Sequence, residues 1–118
     1  MILHLAKREI KPGVTSIEMK GSIHAGTDCK RLELEVEHLI AAKTALVILD
    51  FTEISHIDSS AIGSLVRSYT QLKKSGGLLR LAGAKGMLEG ALKLTKVDKL
   101  IENFPTAAAA AENFVVPG

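Results

Sequence analysis

Residues 45–65 read Ala45-Leu46-Val47-Ile48-Leu49-Asp50-Phe51-Thr52-Glu53-Ile54-Ser55-His56-Ile57-Asp58-Ser59-Ser60-Ala61-Ile62-Gly63-Ser64-Leu65, and this stretch decides the fold. Residues 45–51 form a continuous apolar run of strand length, which predicts a central strand covered on both faces. Thr52 and Glu53 are expected to begin a connector. From Ser59 onward the apolar spacing becomes helical, so the stretch predicts a buried strand that leads directly into an amphipathic helix.

That helix has a clear division between its two sides. The predicted buried stripe consists of Ile62, Leu65, Val66, Tyr69 and Leu72, and the predicted solvated side of Ser64, Arg67, Ser68, Gln71 and Lys74. Gly76-Gly77 follows and is typical of a helix end.

The residues before this stretch predict a hairpin and a helix. A turn at Lys11-Pro12-Gly13 precedes the alternating segment 14–20, which we expect to end at Gly21. A second helix follows, with Thr27 or Asp28 as its cap and Cys29 on its apolar side.

The residues after Gly77 predict a further strand, two helices and a short extended segment. Residues 78–82 have strand character, and a helix is expected to turn Met87, Leu88, Ala91 and Leu92 inward. A short strand or coil then leads to Pro105, and Thr106 caps a final helix, 107–113. Alternating strands and helices over 118 residues predict a single α/β domain, residues 1–118, with a mixed four- to five-stranded sheet and about four helices.

Composition limits the possible functions. The chain has 15 basic and 13 acidic residues, and its three Phe and one Tyr are scattered, so neither a basic patch nor a base-stacking platform indicates nucleic-acid binding. No apolar run approaches the roughly 20 residues of a membrane span, and the charged start does not resemble a signal peptide. The lone Cys29 fits a reducing compartment, so we expect a cytoplasmic protein.

Asp58, Ser59 and Ser60 stand where the strand becomes the helix. All three residue types cap helices, because their short side chains accept hydrogen bonds from first-turn N–H groups. The same position favours negative charge by about 0.3–1 kcal/mol, so the fold would tolerate a phosphate on Ser59. Capping alone and capping combined with a phosphorylation switch both fit the residues.

The stretch from Leu49 to Leu65 resembles the signature of STAS domains, in particular that of bacterial anti-sigma factor antagonists. Gly21-Ser22-Ile23 is similar to the Gly-Glu-Leu after the second strand of that family, and Gly76-Gly77 matches its Gly pair before the next strand. Leu94-Thr95-Lys96-Val97 stands where the family often has Leu-Thr-Gly-Leu. The similarity covers essentially the whole chain, in order and at the right spacing, and it implies a STAS-like fold.

The resemblance also implies a mechanism, partner switching. An unphosphorylated antagonist binds an anti-sigma factor, often also a serine protein kinase, and thereby frees a sigma factor. Phosphorylation releases the complex, and a PP2C-type phosphatase restores the antagonist. The family's phosphoacceptor is the Ser directly after Asp, which is Ser59 here, with Asp58 and Ser60 beside it. No catalytic residue and no cofactor are implied, and a monomer or weak dimer is expected.

Three residues near this motif complete the expected switch region. His24 stands where the family commonly has an Asp close to the phosphorylation site. This difference favours an alternative function, that of a non-switching STAS scaffold subunit of a transporter or stress-signalling assembly. Ala61 replaces the family Gly and is readily accepted in a helical first turn. Lys85 lies in Gly83-Ala84-Lys85-Gly86, which lacks the glycine spacing of phosphate-binding and dinucleotide-binding loops. This segment is expected to be a strand-to-helix turn, and the resemblance places the turn near Ser59.

Two other kinds of site are not favoured by the sequence. His56 and Asp58 are one strand period apart beside the serines, but the chain has no Gly-x-Ser-x-Gly elbow, so a Ser-His-Asp hydrolase is not favoured. The four His residues are dispersed in the sequence without metal-ligand spacing, so no metal site is expected.

Overall fold

The predicted central strand is the third of five in one mixed sheet in the computed structural model, which describes residues 2–116. The strands are β1 (His4–Lys11), β2 (Val14–Ile23), β3 (Leu46–Ile57), β4 (Leu78–Ala82) and β5 (Asn103–Phe104), and their spatial order follows the sequence. β1 and β2 form the predicted antiparallel hairpin, and the other neighbouring strands pair in parallel. The predicted α/β fold is confirmed.

Both long strands extend beyond their predicted ends. We expected β2 to stop at Gly21 and a connector to begin at Thr52, and both expectations are wrong, because the β2–β3 ladder continues to the pair Ile23–Ile57 through two register shifts. Gly21 has a φ of 106°, and a Cβ there would collide with the carbonyl oxygen of Ile2. Glycine therefore permits the register shift between Gly21 and Ser22 without ending the strand.

Four α-helices of the described residues flank the sheet: α1 (Thr27–Ala41), α2 (Ser59–Lys74), α3 (Met87–Leu94) and α4 (Ala107–Ala111). Thr106 caps α4 as predicted, but the helix ends before Asn113, because Glu112 is extended and Asn113 has a φ of 53°. None of the helices in residues 2–116 is long and apolar enough to cross a membrane.

The sheet has a core on each face. One core contains Ile17, Val47, Leu49 and Phe51 with the buried residues of α1, α2 and α3. The other is smaller and contains Val14, Leu46, Ile48 and Ala82 with Ala110, Ala111 and Phe114. Successive residues of β3 alternate between these cores, so the prediction of a strand covered on both faces is confirmed.

The side of α2 predicted to be solvated is partly buried against α1. Ser64 and Ser68 are both 0% exposed. The Ser64 hydroxyl donates to Glu33 Oε2 at 2.8 Å, and Arg67 donates to the same carboxylate from Nε and Nη2, both at 3.1 Å. Small serine side chains allow the two helices to approach closely, which periodicity alone did not indicate.

The inward orientation predicted for Met87 is wrong. Leu92 is 2% exposed and occupies the core, whereas Met87 is 93% exposed. The two residues are five positions apart, which is about 140° around the helix axis, so α3 cannot bury both side chains. Leu88 and Ala91 are partly buried beside them.

Candidate functional site

The carboxyl ends of β2 and β3 lie side by side, and the first two helices begin next to them. Ile23 pairs with Ile57, and the Asp58 N–H donates to the Ile23 carbonyl at 3.2 Å. The β2–α1 loop therefore lies against the start of α2, which brings His24 into the region of Asp58 and Ser59.

Asp58 caps α2, as the sequence predicts, and also binds a second segment. Its Oδ1 accepts the N–H groups of Ser60 at 3.0 Å and Ala61 at 3.3 Å. Its Oδ2 accepts the Ala25 N–H at 2.8 Å. Three backbone donors from two segments therefore share one carboxylate, which fixes the β2–α1 loop against the helix.

These bonds favour the ionised form of Asp58. The pKa of the Asp58 carboxyl is lowered from its ordinary value, mainly by the hydrogen bond from the Ala25 N–H. The hydrogen bonds from Ala61 and Ser60 and the nearby His24 imidazole lower this pKa further, while desolvation raises it. The site therefore carries a fixed negative charge at neutral pH.

Ser59 and Ser60 are the first two residues of α2, and both are exposed. The described hydrogen bonds include none from either hydroxyl group. Ala61 is 1% exposed and packs in the core, so its methyl group fills the space at the first turn. The hydroxyl groups of the two serines are thus accessible on a helix end whose backbone is held by Asp58.

His24 and His56 meet beside this helix end, although they are 32 positions apart in the chain. Their ring centroids are 5.7 Å apart. The backbone N–H of His24 donates to Asp28 Oδ2 at 3.0 Å, and the imidazole Nδ1 of His24 lies 3.6 Å from the same oxygen. The prediction that Thr27 or Asp28 caps α1 is wrong, because Gly26 is the cap residue, without a side-chain cap, and Asp28 binds His24 instead.

The model of one protein family, the STAS domain, matches residues 6–110. The chain belongs to the STAS domain family. No curated protein sequence matches it at a significant level.

Solved structures with this fold include three related to anti-sigma regulation. A candidate anti-sigma factor antagonist from Thermotoga maritima has a TM-score of 0.82 at 19% identity, over 92% of both chains. An anti-sigma factor antagonist from Mycobacterium paratuberculosis has a TM-score of 0.78 at 21% identity, over 92% of this chain and 91% of its own. The phosphorylated form of the Bacillus cell fate determinant SpoIIAA has a TM-score of 0.72 at 14% identity, over 91% of this chain and 96% of its own. At these identities the likeness concerns the fold.

In this STAS domain the turn that contains Lys85 lies between β4 and α3, as predicted. Lys85 is exposed and lines a groove together with His56 and Ile57, the residues that directly precede Asp58. Lys85 thus faces the same groove as the strand end that leads into Ser59.

The hydrolase arrangement is not formed in the described residues. The Asp58 carboxylate binds backbone N–H groups, and no described hydrogen bond joins His56 to Asp58 or to either serine. Within residues 2–116 there is also no cluster of three or more His, Cys, Asp or Glu side chains arranged to hold a metal ion.

Three features of the site differ from what the sequence predicts: the Ala25 N–H, the contact of Asp28 with His24, and the position of His56 beside His24. Ala25 contributes only a backbone N–H, for which a sequence has no specific signal. His56 was considered only as a catalytic candidate. The parallel register pairs Ser22 with His56 and Ile23 with Ile57, and His24, the next residue after Ile23, lies near His56.

Proposed function

We propose that this STAS domain is an anti-sigma factor antagonist that acts by partner switching in the cytoplasm, as a monomer or weak dimer. Its unphosphorylated form binds an anti-sigma factor that is also a serine protein kinase, and so frees a sigma factor. Phosphorylation of Ser59 separates the complex, and a PP2C-type phosphatase reverses the modification. The observation that carries the proposal is the exposed Ser59 at the first position of α2, directly after its capping residue Asp58.

The local chemistry explains how a phosphate could change binding without unfolding the domain. Asp58 already satisfies two N–H groups of the first turn, so the helix end does not depend on the Ser59 hydroxyl. A phosphate would add about −1.5 to −2 charges beside the ionised Asp58. Such a concentration of negative charge is costly to bury in an interface unless the partner supplies a cation.

Ser59 is preferred to Ser60 because the family's phosphoacceptor directly follows the Asp. Both side chains are exposed, so accessibility does not distinguish them. The two residues therefore provide matched variants, Ser59→Ala and Ser60→Ala, with the same chemical change one position apart.

Intact-mass measurement tests the assignment. The purified protein is incubated with ATP and an extract of its own cells, with and without a PP2C-type phosphatase. Wild type and Ser60→Ala should gain the mass of one phosphate and lose it on phosphatase treatment, and Ser59→Ala should gain none. Phosphate on Ser59→Ala would refute the residue assignment, and an unmodified wild type would refute the switch.

A second test concerns binding. Ser59→Asp should weaken capture of the anti-sigma factor from the extract, because the added charge lies at the same helix end, whereas Ser59→Asn should retain capture. Equal capture by both variants would argue against an electrostatic switch.

His24 favours one alternative, a STAS scaffold subunit that binds its partner constitutively within a transporter or stress-signalling assembly. Its imidazole lies near His56 and 3.6 Å from Asp28, where the family commonly has an acid. Capture of transport proteins without a kinase-like ATPase, together with an unmodified Ser59, would support this alternative. In the main proposal His24, Asp58, Ser60, Ala61 and Lys85 form the surroundings of the switch.

A further inference from the structure

Two imidazoles lie beside the proposed phosphorylation site, and the residues on either side of one of them, His24, are both bonded to Asp58. The residue before His24, Ile23, accepts the Asp58 N–H at 3.2 Å, and the residue after it, Ala25, donates to the Asp58 carboxylate at 2.8 Å. Ser59 directly follows Asp58. A charge on the Ser59 side chain is therefore added close to a group that can itself become charged.

The charged and titratable groups around His24 come from four parts of the fold. Asp28 of α1 lies 3.6 Å from the His24 Nδ1, and the ionised Asp58 stands at the start of α2. His56 of β3 has its ring centroid 5.7 Å from that of His24. Lys85, in the turn between β4 and α3, lines a groove together with His56.

These neighbours favour one proton on the two imidazoles and oppose a second. The two carboxylates attract a proton, whereas a first charged ring and the Lys85 ammonium repel another. The Cys29 thiol donates to the His24 carbonyl at 3.3 Å, and because burial raises the pKa of this thiol, it adds no charge. The His24 side chain is 49% exposed, so it exchanges protons with solvent.

We infer that His24 is the titratable counter-charge of a phosphate on Ser59, so that the phosphorylation switch depends on pH. An imidazole is mostly neutral above about pH 7 and takes up a proton from solvent as the pH falls toward 6. Its positive charge then offsets part of the phosphate charge of about −1.5 to −2. The inference rests on the proposed function for the phosphate and for the partner that the phosphate repels.

The coupling has a definite sign at each of the two groups. A phosphate dianion favours the protonated form of a nearby imidazole, and the protonated imidazole favours the dianion by the same free energy. The His24 ring should therefore titrate at higher pH once Ser59 is phosphorylated, and the phosphate should titrate at lower pH because His24 is present. A unit charge within a Debye length in water-like surroundings produces a shift of roughly 0.3 pH unit.

Phosphorus NMR of the purified 118-residue protein tests the coupling at the phosphate. Phosphoserine is installed at position 59 during translation, so the measurement needs no kinase. His24→Gln keeps a polar but neutral side chain and should raise the midpoint of the phosphate titration by about 0.3 pH unit, and His24→Asp should raise it further. A midpoint that does not rise in His24→Gln would overturn the inference. Circular dichroism verifies that the variants fold.

His38→Gln is the matched control for this measurement. His38 lies in the last turn of α1, ten residues beyond Asp28 and therefore about 15 Å further along the helix. At that distance screening removes most of the interaction, so the midpoint should stay as in wild type. An equal rise in His38→Gln and His24→Gln would show an effect of net charge alone and would contradict a local counter-charge.

Proton NMR of the histidine rings tests the coupling from the other side. Phosphoserine at position 59 should move the titration midpoint of the His24 ring upward by about 0.5 pH unit and leave that of His38 unchanged, since a dianion acts on the nearer ring. A shift of the His56 ring without one at His24 would refute the assignment to His24. Equal shifts of His24 and His38 would refute a local effect.

Capture of the anti-sigma factor links the coupling to the switch. Relative to the unphosphorylated form, the phosphoserine protein should regain capture between pH 7.5 and about pH 6, and His24→Gln should lose most of this gain. The phosphate's own titration is present in both proteins, so equal gains would refute a pH-dependent switch through His24. The NMR measurements need neither partner nor kinase, so their failure is separable from failure of phosphorylation in the extract, which concerns the proposed function.

Discussion

The Asp58 carboxylate lies 2.8 Å from the backbone nitrogen of Ala25, although a helix and a strand separate the two residues in the chain. The other carboxylate oxygen caps α2 at the residues that follow Ser59. One side chain therefore sets the position of the β2–α1 loop, including His24, relative to the proposed phosphorylation site. A charge added at Ser59 would act directly beside this connection.

Replacing Asp58 should loosen both segments. Asp58→Ala removes the acceptor of three backbone N–H groups, and we expect a decrease of roughly 5 °C in the midpoint of thermal unfolding. Amide exchange at Ala25, Ser60 and Ala61 should become faster. Asp58→Asn keeps one acceptor oxygen and should recover part of the loss. If Asp58→Ala has the same midpoint and exchange rates as wild type, the connection has no energetic role.

Acid should destabilise the domain partly through Asp58 and Glu33. The pKa of Asp58 is lowered mainly by the Ala25 N–H, and that of Glu33 mainly by its hydrogen bonds to Arg67. Because both pKa values are lower in the folded state, the associated stability is complete above the unfolded-state values of about 4 and is lost as the pH falls through the folded-state values. Urea unfolding from pH 6 downward should show a smaller acid-dependent loss for Asp58→Asn than for wild type, and parallel curves would contradict the role of Asp58.

The sequence predicted the order of the elements but not the ends of the long strands. Periodicity identified β3 and α2 and the cap at Asp58, because strand and helix spacing and capping are local properties. It failed at Gly21 and Thr52, where a bulged ladder with a neighbouring strand maintains the strand. Such pairing depends on residues far away in the chain, so local patterns do not reveal it.

In the candidate site, too, local features were predictable from the sequence and contacts between distant residues were not. Asp58 and Ser59 were identified from neighbouring residues and from the resemblance of the motif. The approach of His24 to His56, and the bond from Ala25 to Asp58, follow from parallel pairing of β2 with β3. The burial of Ser64 and Ser68 likewise depends on how closely α1 approaches α2, which a polar residue type does not indicate.

Arg80 should hold the C-terminal helix on the sheet. Its guanidinium lies 4.3 Å from the ring centroid of Phe114 and 4.9 Å from that of Phe104. Its Nη1 donates to the carbonyls of Ala110 and Glu112, both at 3.0 Å. Arg80→Met keeps an apolar side chain but removes the charge and the donors, and we expect a loss of about 2 kcal/mol in the free energy of unfolding.

Urea unfolding measures the Arg80 effect, and hydrogen exchange of residues 107–114 measures the release of α4. Arg8→Met is the control, because Arg8 is exposed and only its surface ion pair with Glu18 is lost, which is worth about 0–1 kcal/mol. Equal losses for the two variants would show that Arg80 has no specific role at α4.

Gly83 should be far less replaceable than Gly86, although both have positive φ in the turn between β4 and α3. Their φ values are 73° and 61°. A Cβ on Gly83 would collide with the backbone and hydroxyl of Thr52, whereas a Cβ on Gly86 meets nothing within 4 Å. Gly86→Ala therefore meets only the strain of its backbone conformation, φ 61° and ψ −130°, which residues with a Cβ rarely adopt and which costs about 1–3 kcal/mol. Gly83→Ala must also displace β3 or the turn.

Thermal unfolding of both alanine variants compares these costs, because both variants place a Cβ at a positive φ and only Gly83→Ala adds a collision. We expect a clearly lower midpoint for Gly83→Ala, and equal midpoints would show that the turn yields without cost.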